Sequence, residues 1–98
     1  MSFSQKICEE ARLIMLRALA EQPDGRLNSE LLRETLVVYG ISRSRDFVHE
    51  ELRALAELGA VTITDVASVR IAAITTKGMD HVARRIVIEG VKRPSPGV

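Results

Sequence analysis

Between Val48 and Gly59 the apolar residues keep a spacing that admits one local structure. Val48, Leu52 and Leu55 lie four and then three residues apart, which stacks them on one face of an α-helix. Gly59 comes four positions later, and glycine commonly closes a helix by entering the left-handed region. The period then changes. Val61-Thr-Ile-Thr reads as a strand, Asp65 to Ser68 as a tight turn, and Val69-Arg-Ile-Ala-Ala-Ile as a returning strand. Thr75-Thr-Lys-Gly opens another helix.

The residues before this stretch supply its support. Ser2 and Gln5 have the spacing of a capping box, so a first helix is predicted to start almost at the terminus. Its inner stripe is Ile7, Ala11, Ile14, Met15 and Ala18, while Leu13, Leu16 and Ala20 lie on nearly the opposite side. A helix apolar on two sides is buried on both. Two covers are open for the second side: another subunit, or the chain's own last helix or tail. The first predicts a homodimer through Leu13, Leu16 and Ala20, with Ile88 and Val91 as an apolar arm across the partner. Gln22-Pro-Asp-Gly is a turn. Asn28 then caps a short helix carrying Leu31, Leu32, Thr35, Leu36 and Tyr39, which Gly40 ends. Ile41-Ser-Arg leads to Ser44, the predicted cap of the helix over 43–58. Two helices joined so closely form a helix-turn-helix unit. A last helix is predicted from Thr76 to Ile86, with Met79, Val82 and Ile86 inward and Arg84 and Arg85 outward. The domain then spans 1–88, and 89–98 is a flexible tail.

Composition narrows the function classes. Ninety-eight residues make one domain, and 46% hydrophobic with 28% charged residues describes a soluble globule. No apolar run approaches the roughly 18 residues of a membrane span. Cys8-Glu-Glu interrupts any signal-peptide core, and a lone cysteine suits a reducing bacterial cytoplasm. His49 and His81 are far apart, and no serine elbow, phosphate loop or carboxylate pair accompanies them. The chain is therefore read as a non-enzyme without metal or cofactor, and Cys8 as packing.

The outward face of the helix over 43–58 is where binding should be read. Arg43, Ser44 and Arg45 stand at its N-terminal end, where a recognition helix meets bases and phosphates. Arg43, Arg45 and His49 are the predicted base contacts, and Arg53, Arg70 and Lys77 the predicted phosphate contacts. Asp46, Glu50, Glu51 and Glu57 oppose them, and the turn Asp65-Val-Ala-Ser carries no base. Charge is also uneven along the chain. Residues 1–69 hold eight Lys/Arg against eleven Asp/Glu, whereas residues 70–98 hold six against two.

The order Val48, Leu52, Leu55, Gly59-Ala-Val61, hairpin, Ile74-Thr-Thr-Lys-Gly78 resembles bacterial winged-helix regulators of the ArsR and MarR type over roughly residues 5 to 88. The recognition-helix cysteine pairs of metal-sensing ArsR repressors are absent, so the resemblance implies no metal sensing. Closer still is the likeness to small ArsR-like proteins of Mu-like phages and prophages. It is carried by Met1-Ser-Phe, Arg26-Leu-Asn, Asp65-Val-Ala and the ending Gly90-Val-Lys-Arg-Pro. The resemblance implies a mostly α (α+β) winged helix-turn-helix with a small antiparallel β-hairpin. It implies a transcriptional regulator of phage or prophage origin that binds double-stranded DNA. The alternative is an assembly module that uses the same fold on a phage or host protein.

Overall fold

Four polar side chains begin the four helices of the described residues. Ser2, Asn28, Ser44 and Thr75 each accept a hydrogen bond from the backbone N–H three residues on, at Gln5, Leu31, Phe47 and Gly78. In the computed structural model, which describes residues 2–96, these caps open α1 (Phe3–Ala20), α2 (Ser29–Val38), α3 (Arg45–Glu57) and α4 (Thr76–Val82). Met1, the start of Met1-Ser-Phe, and Gly97 and Val98, the end of the predicted tail, lie outside the described residues. Three strands complete the fold: β1 (Arg26–Asn28) between α1 and α2, then β2 (Val61–Val66) and β3 (Val69–Ile74) between α3 and α4. They form one antiparallel sheet in the order β1-β3-β2. This is an α+β winged helix-turn-helix, as the sequence predicts.

The sheet has one strand more than expected. β1 pairs Arg26 with Ala73 and Asn28 with Ile71, and the Ile74 N–H donates to the Gly25 carbonyl at 2.9 Å. A strand of three residues is too short for alternation to show in a sequence. The hairpin turn is also tighter than Asp65 to Ser68. Val66 pairs with Val69, so Ala67 and Ser68 alone make the bend, with Ala67 at φ 54°. Asp65 therefore belongs to the ladder, opposite Arg70.

α1 runs through the centre of the core, against α2, α3, α4 and β3. Met15, Leu16 and Leu19 meet Leu32 and Leu36 of α2 and Val48, Leu52 and Leu55 of α3 in one cluster that water does not reach. The three inward residues of α3 are those predicted, and Gly59 closes that helix at φ 80°.

The two-sided α1 is covered by its own chain. Leu13 is 5% exposed and Leu16 0%, and Ile88 and Val91 belong to the same core at 3% and 5%. Lys92 N–H donates to the Glu9 carbonyl at 3.2 Å, and Arg12 Nη1 donates to the Gly90 carbonyl at 2.8 Å, laying the C-terminal segment along α1. The expectation that Leu13, Leu16, Ile88 and Val91 form a dimer interface is thus corrected. Those side chains are already buried within one protomer, and Ala20 is half-buried beside them. The expected flexible tail is part of the folded body as far as Pro94, which is buried.

α4 ends at Val82, before the predicted Ile86. Arg84 N–H bonds the His81 carbonyl at 3.0 Å and Arg85 N–H the Asp80 carbonyl at 2.8 Å, the paired bonds of a Schellman cap. The shortened helix turns a different face inward. Met79 and Ile86 are exposed (43% and 38%), and His81 is completely buried instead. The His81 Nδ1 accepts the Ile88 N–H at 3.0 Å while Nε2 donates to the Lys92 carbonyl at 2.9 Å, which fixes the neutral tautomer and holds the returning segment. Gly78 is less punctuation than clearance, because a Cβ there would run into the Ala60 carbonyl oxygen.

Candidate nucleic-acid interface

The N-terminal end of α3 is exposed and carries the predicted arginines. Ser44 Oγ accepts the Phe47 N–H at 3.2 Å, which leaves the hydroxyl proton free to donate outward. Arg43 lies over the Phe47 ring, 5.9 Å from its centroid, and donates to the Ser42 carbonyl at 3.1 Å. Neither Arg43 nor Arg45 forms an ion pair among the described residues. Two guanidinium groups beside the positive end of a helix make this the natural anion-facing point of the fold.

The other predicted contacts are less free. His49 Nε2 lies 3.1 Å from Ser29 Oγ, and the same oxygen accepts the Arg70 N–H at 3.0 Å. Arg70 in turn donates to the His49 carbonyl at 3.3 Å and pairs with Asp65 at 3.2 Å. Burial holds the His49 pKa below its ordinary value, helped by the charges of Arg70 and Arg45. His49 is thus a joint between α2, α3 and the wing more than a cation offered to DNA. Arg53 is bracketed by Glu57 at 3.0 Å and Glu50 at 3.6 Å. Lys77 stands at the opposite end of α3, its Cδ 3.5 Å from where a Gly59 Cβ would be. There it complements the negative end of the helix, about 20 Å from Arg45 along the axis.

The structure therefore brings Ser44, His49, Arg53 and Arg70 around one shallow depression, with Arg43 and Arg45 flanking Ser44 and Lys77 apart. Glu51 leaves the face altogether. It is 7% exposed and points inward to Arg12, with Oε1 at 2.7 Å from Nε. What remains is balanced: Arg43, Arg45, Arg53 and Arg70 against Asp46, Glu50, Glu57 and Asp65. Ser29 was not among the predicted site residues. It lies 20 positions from His49 and 41 from Arg70, so no local spacing could announce it.

Elsewhere, Cys8 is half-buried. Its thiol pKa is raised, first by burial and then by the neighbouring Glu51 carboxylate. No group of three or more His, Cys, Asp or Glu among the described residues is placed to hold a metal. No described helix is long and apolar enough to cross a membrane.

No protein-family model matches the chain. It is 33% identical over 90 residues to an uncharacterized protein, gp26, of Escherichia phage Mu, covering 92% of this chain and 93% of that one. An uncharacterized protein of Haemophilus influenzae is 38% identical over 63 residues, 64% of this chain and 61% of the relative. In three dimensions the fold is similar to a crystal structure described as a "Possible transcriptional regulator for arsenical resistance". That likeness has a TM-score of 0.59 at 19% identity and covers 87% of this chain and 81% of that one.

Proposed function

The chain belongs to the family of gp26 of Escherichia phage Mu, and on that footing we propose that it is a DNA-binding transcriptional regulator of phage or prophage origin, acting in the bacterial cytoplasm. The observation that carries this reading is the pair of unpaired arginines at the exposed N-terminus of a Ser44-capped α3, on a winged-helix frame. In this reading Arg43 and Arg45 face the major groove and Ser44 donates to a phosphate. Arg70, anchored to the His49 carbonyl, holds the wing at a fixed angle to α3. The homodimer stays in the proposal, with its surface drawn from exposed Val38, Ile86 and Val87 in place of the buried leucines.

A second reading, an assembly module for a phage or host protein, is favoured by two specific features. Glu50, Arg53 and Glu57 form a charge-satisfied ladder along the outer face of α3, and the wing tip carries no base. Titration of mixed duplex DNA with the wild type and an Arg43→Ala/Arg45→Ala variant at two salt concentrations separates the readings. Regulation predicts a shallow salt slope, about 0.9 for each phosphate neutralised, and loss of roughly 1–3 kcal/mol per lost base contact in the variant. Equal, negligible binding by both proteins leaves the assembly reading standing.

A further inference from the structure

A cleft of about 550 Å³, sharing no lining residue with the depression on α3, opens between the C-terminal half of α1, the end of α2 and the folded tail. Its apolar lining includes Ile14, Ala18, Val82 and Pro94, and its polar lining includes Arg17, Arg84 and Tyr39. That size and that mixture fit a small organic ligand. Arg17 is half-buried, yet its side chain makes no hydrogen bond or ion pair with any described residue, although Glu21 of the same cleft is one helical turn away. Arg93 flanks the cleft from the far side of Pro94 and Ser95, which it shares with Arg84 in an adjoining hollow.

The backbone supplies a second, independent observation. Arg84 occupies the C′ position of the Schellman cap at φ 65°, where glycine is strongly preferred because a Cβ is strained. Its neighbour Arg85 is paired with Asp80 at 3.2 Å, but the Arg84 side chain has no such partner. Stability alone selects glycine at this position, and strained backbone concentrates at functional sites. An arginine held there against local preference, with its side chain lining the cleft, points to a role for the guanidinium.

We propose that this cleft binds a small amphipathic organic anion, a carboxylate or phosphate monoester whose apolar body packs on Ile14, Ala18 and Val82 while Arg17 and Arg84 hold its charged end. Paired guanidinium groups suit such a head because each presents parallel N–H donors to two oxygens. Tyr39, exposed at 66%, offers the apolar body a flat wall.

Phenyl phosphate is a suitable probe, followed by chemical shifts of the full chain in solution, with benzyl alcohol as the uncharged comparison. Saturable shifts are expected around Ala18, Tyr39 and Val82, with a dissociation constant at or below about 1 mM, and none of that affinity for benzyl alcohol. Arg84→Gly should fold at least as well as the wild type, since glycine relieves φ 65°, yet bind at least tenfold more weakly. Arg17→Gln should weaken binding similarly, and Arg85→Gln should leave it unchanged. The proposal is overturned if no saturable shift occurs by about 10 mM. It is equally overturned if the shifts cluster at Arg43 and Arg45, if Arg84→Gly binds like the wild type, or if benzyl alcohol binds as well.

Discussion

His49 on α3 and Ser29 at the start of α2 meet at 3.1 Å, and the Ser29 oxygen at the same time accepts the Arg70 N–H of the wing. One buried hydroxyl thus ties together α2, α3 and the wing. Neutral His49 can either donate to this oxygen or accept its proton, whereas protonated His49 can only donate.

Stability should therefore depend on His49 in a definite direction. Its folded pKa is lowered, so the unfolded chain takes up a proton first as pH falls. The contribution is fully present above the ordinary value of 6.5 and declines as pH drops through 6.5 toward the folded pKa. Urea midpoints measured between about pH 7.5 and pH 5 should decrease, and His49→Gln should flatten part of that dependence. Ser29→Ala should cost about 1–3 kcal/mol at any pH, because the Arg70 N–H loses its partner.

What the sequence showed and what it hid divide along one line. The caps at Ser2, Asn28 and Ser44 and the stripe of Val48, Leu52 and Leu55 depend on residues three to seven apart, and all form as predicted. The contacts that decide the site are distant: Ser29 with Arg70, Arg12 with Glu51, Arg12 with Gly90. Glu51 looks like part of an acidic outer face until its partner on α1 is known. α4 misled for a different reason, because a Schellman cap built on arginine gives none of the usual glycine signal.

The covered leucines reverse an expectation. Were Leu13 and Leu16 at a subunit interface, replacing both with glutamate would give a folded monomer. Buried as they are, losing each leucine costs about 2–5 kcal/mol even before a carboxylate is forced inside. The sum approaches the whole stability of a typical domain, roughly 5–15 kcal/mol. Leu13→Glu/Leu16→Glu should show no cooperative thermal transition by circular dichroism, and a well-folded double variant would restore the interface reading.

Gly78 allows a cleaner test of close packing. In an exposed helix, glycine to alanine gains roughly 0.5–1 kcal/mol. Here the added methyl meets the Ala60 carbonyl oxygen, which is fixed in the turn leading into β2. Overpacking of this kind costs about 1–3 kcal/mol, so Gly78→Ala should be net destabilising in a denaturant titration.

The Arg12–Glu51 pair joins α1 to α3 and can be read out twice. Glu51 is nearly buried, while the Arg12 side chain keeps 20% of its exposure. Breaking a fully buried pair costs about 3–5 kcal/mol, and residual water around Arg12 should bring Glu51→Gln to about 2–3 kcal/mol. Replacing both partners, Arg12→Met with Glu51→Leu, strands neither charge and should recover part of that loss, less what the Gly90 carbonyl loses with its Arg12 donor. The second readout is chemical. The negative charge of the nearby Glu51 carboxylate helps raise the Cys8 thiol above 9.0, after the larger effect of burial. Glu51→Gln removes the charge but not the burial, so the thiol should move part of the way back toward 9.0. Because the thiolate is the reacting form, iodoacetamide should alkylate the folded variant faster than the wild type at the same pH. An unchanged pH profile for alkylation, measured where both proteins remain folded, would show that Glu51 does not act on Cys8.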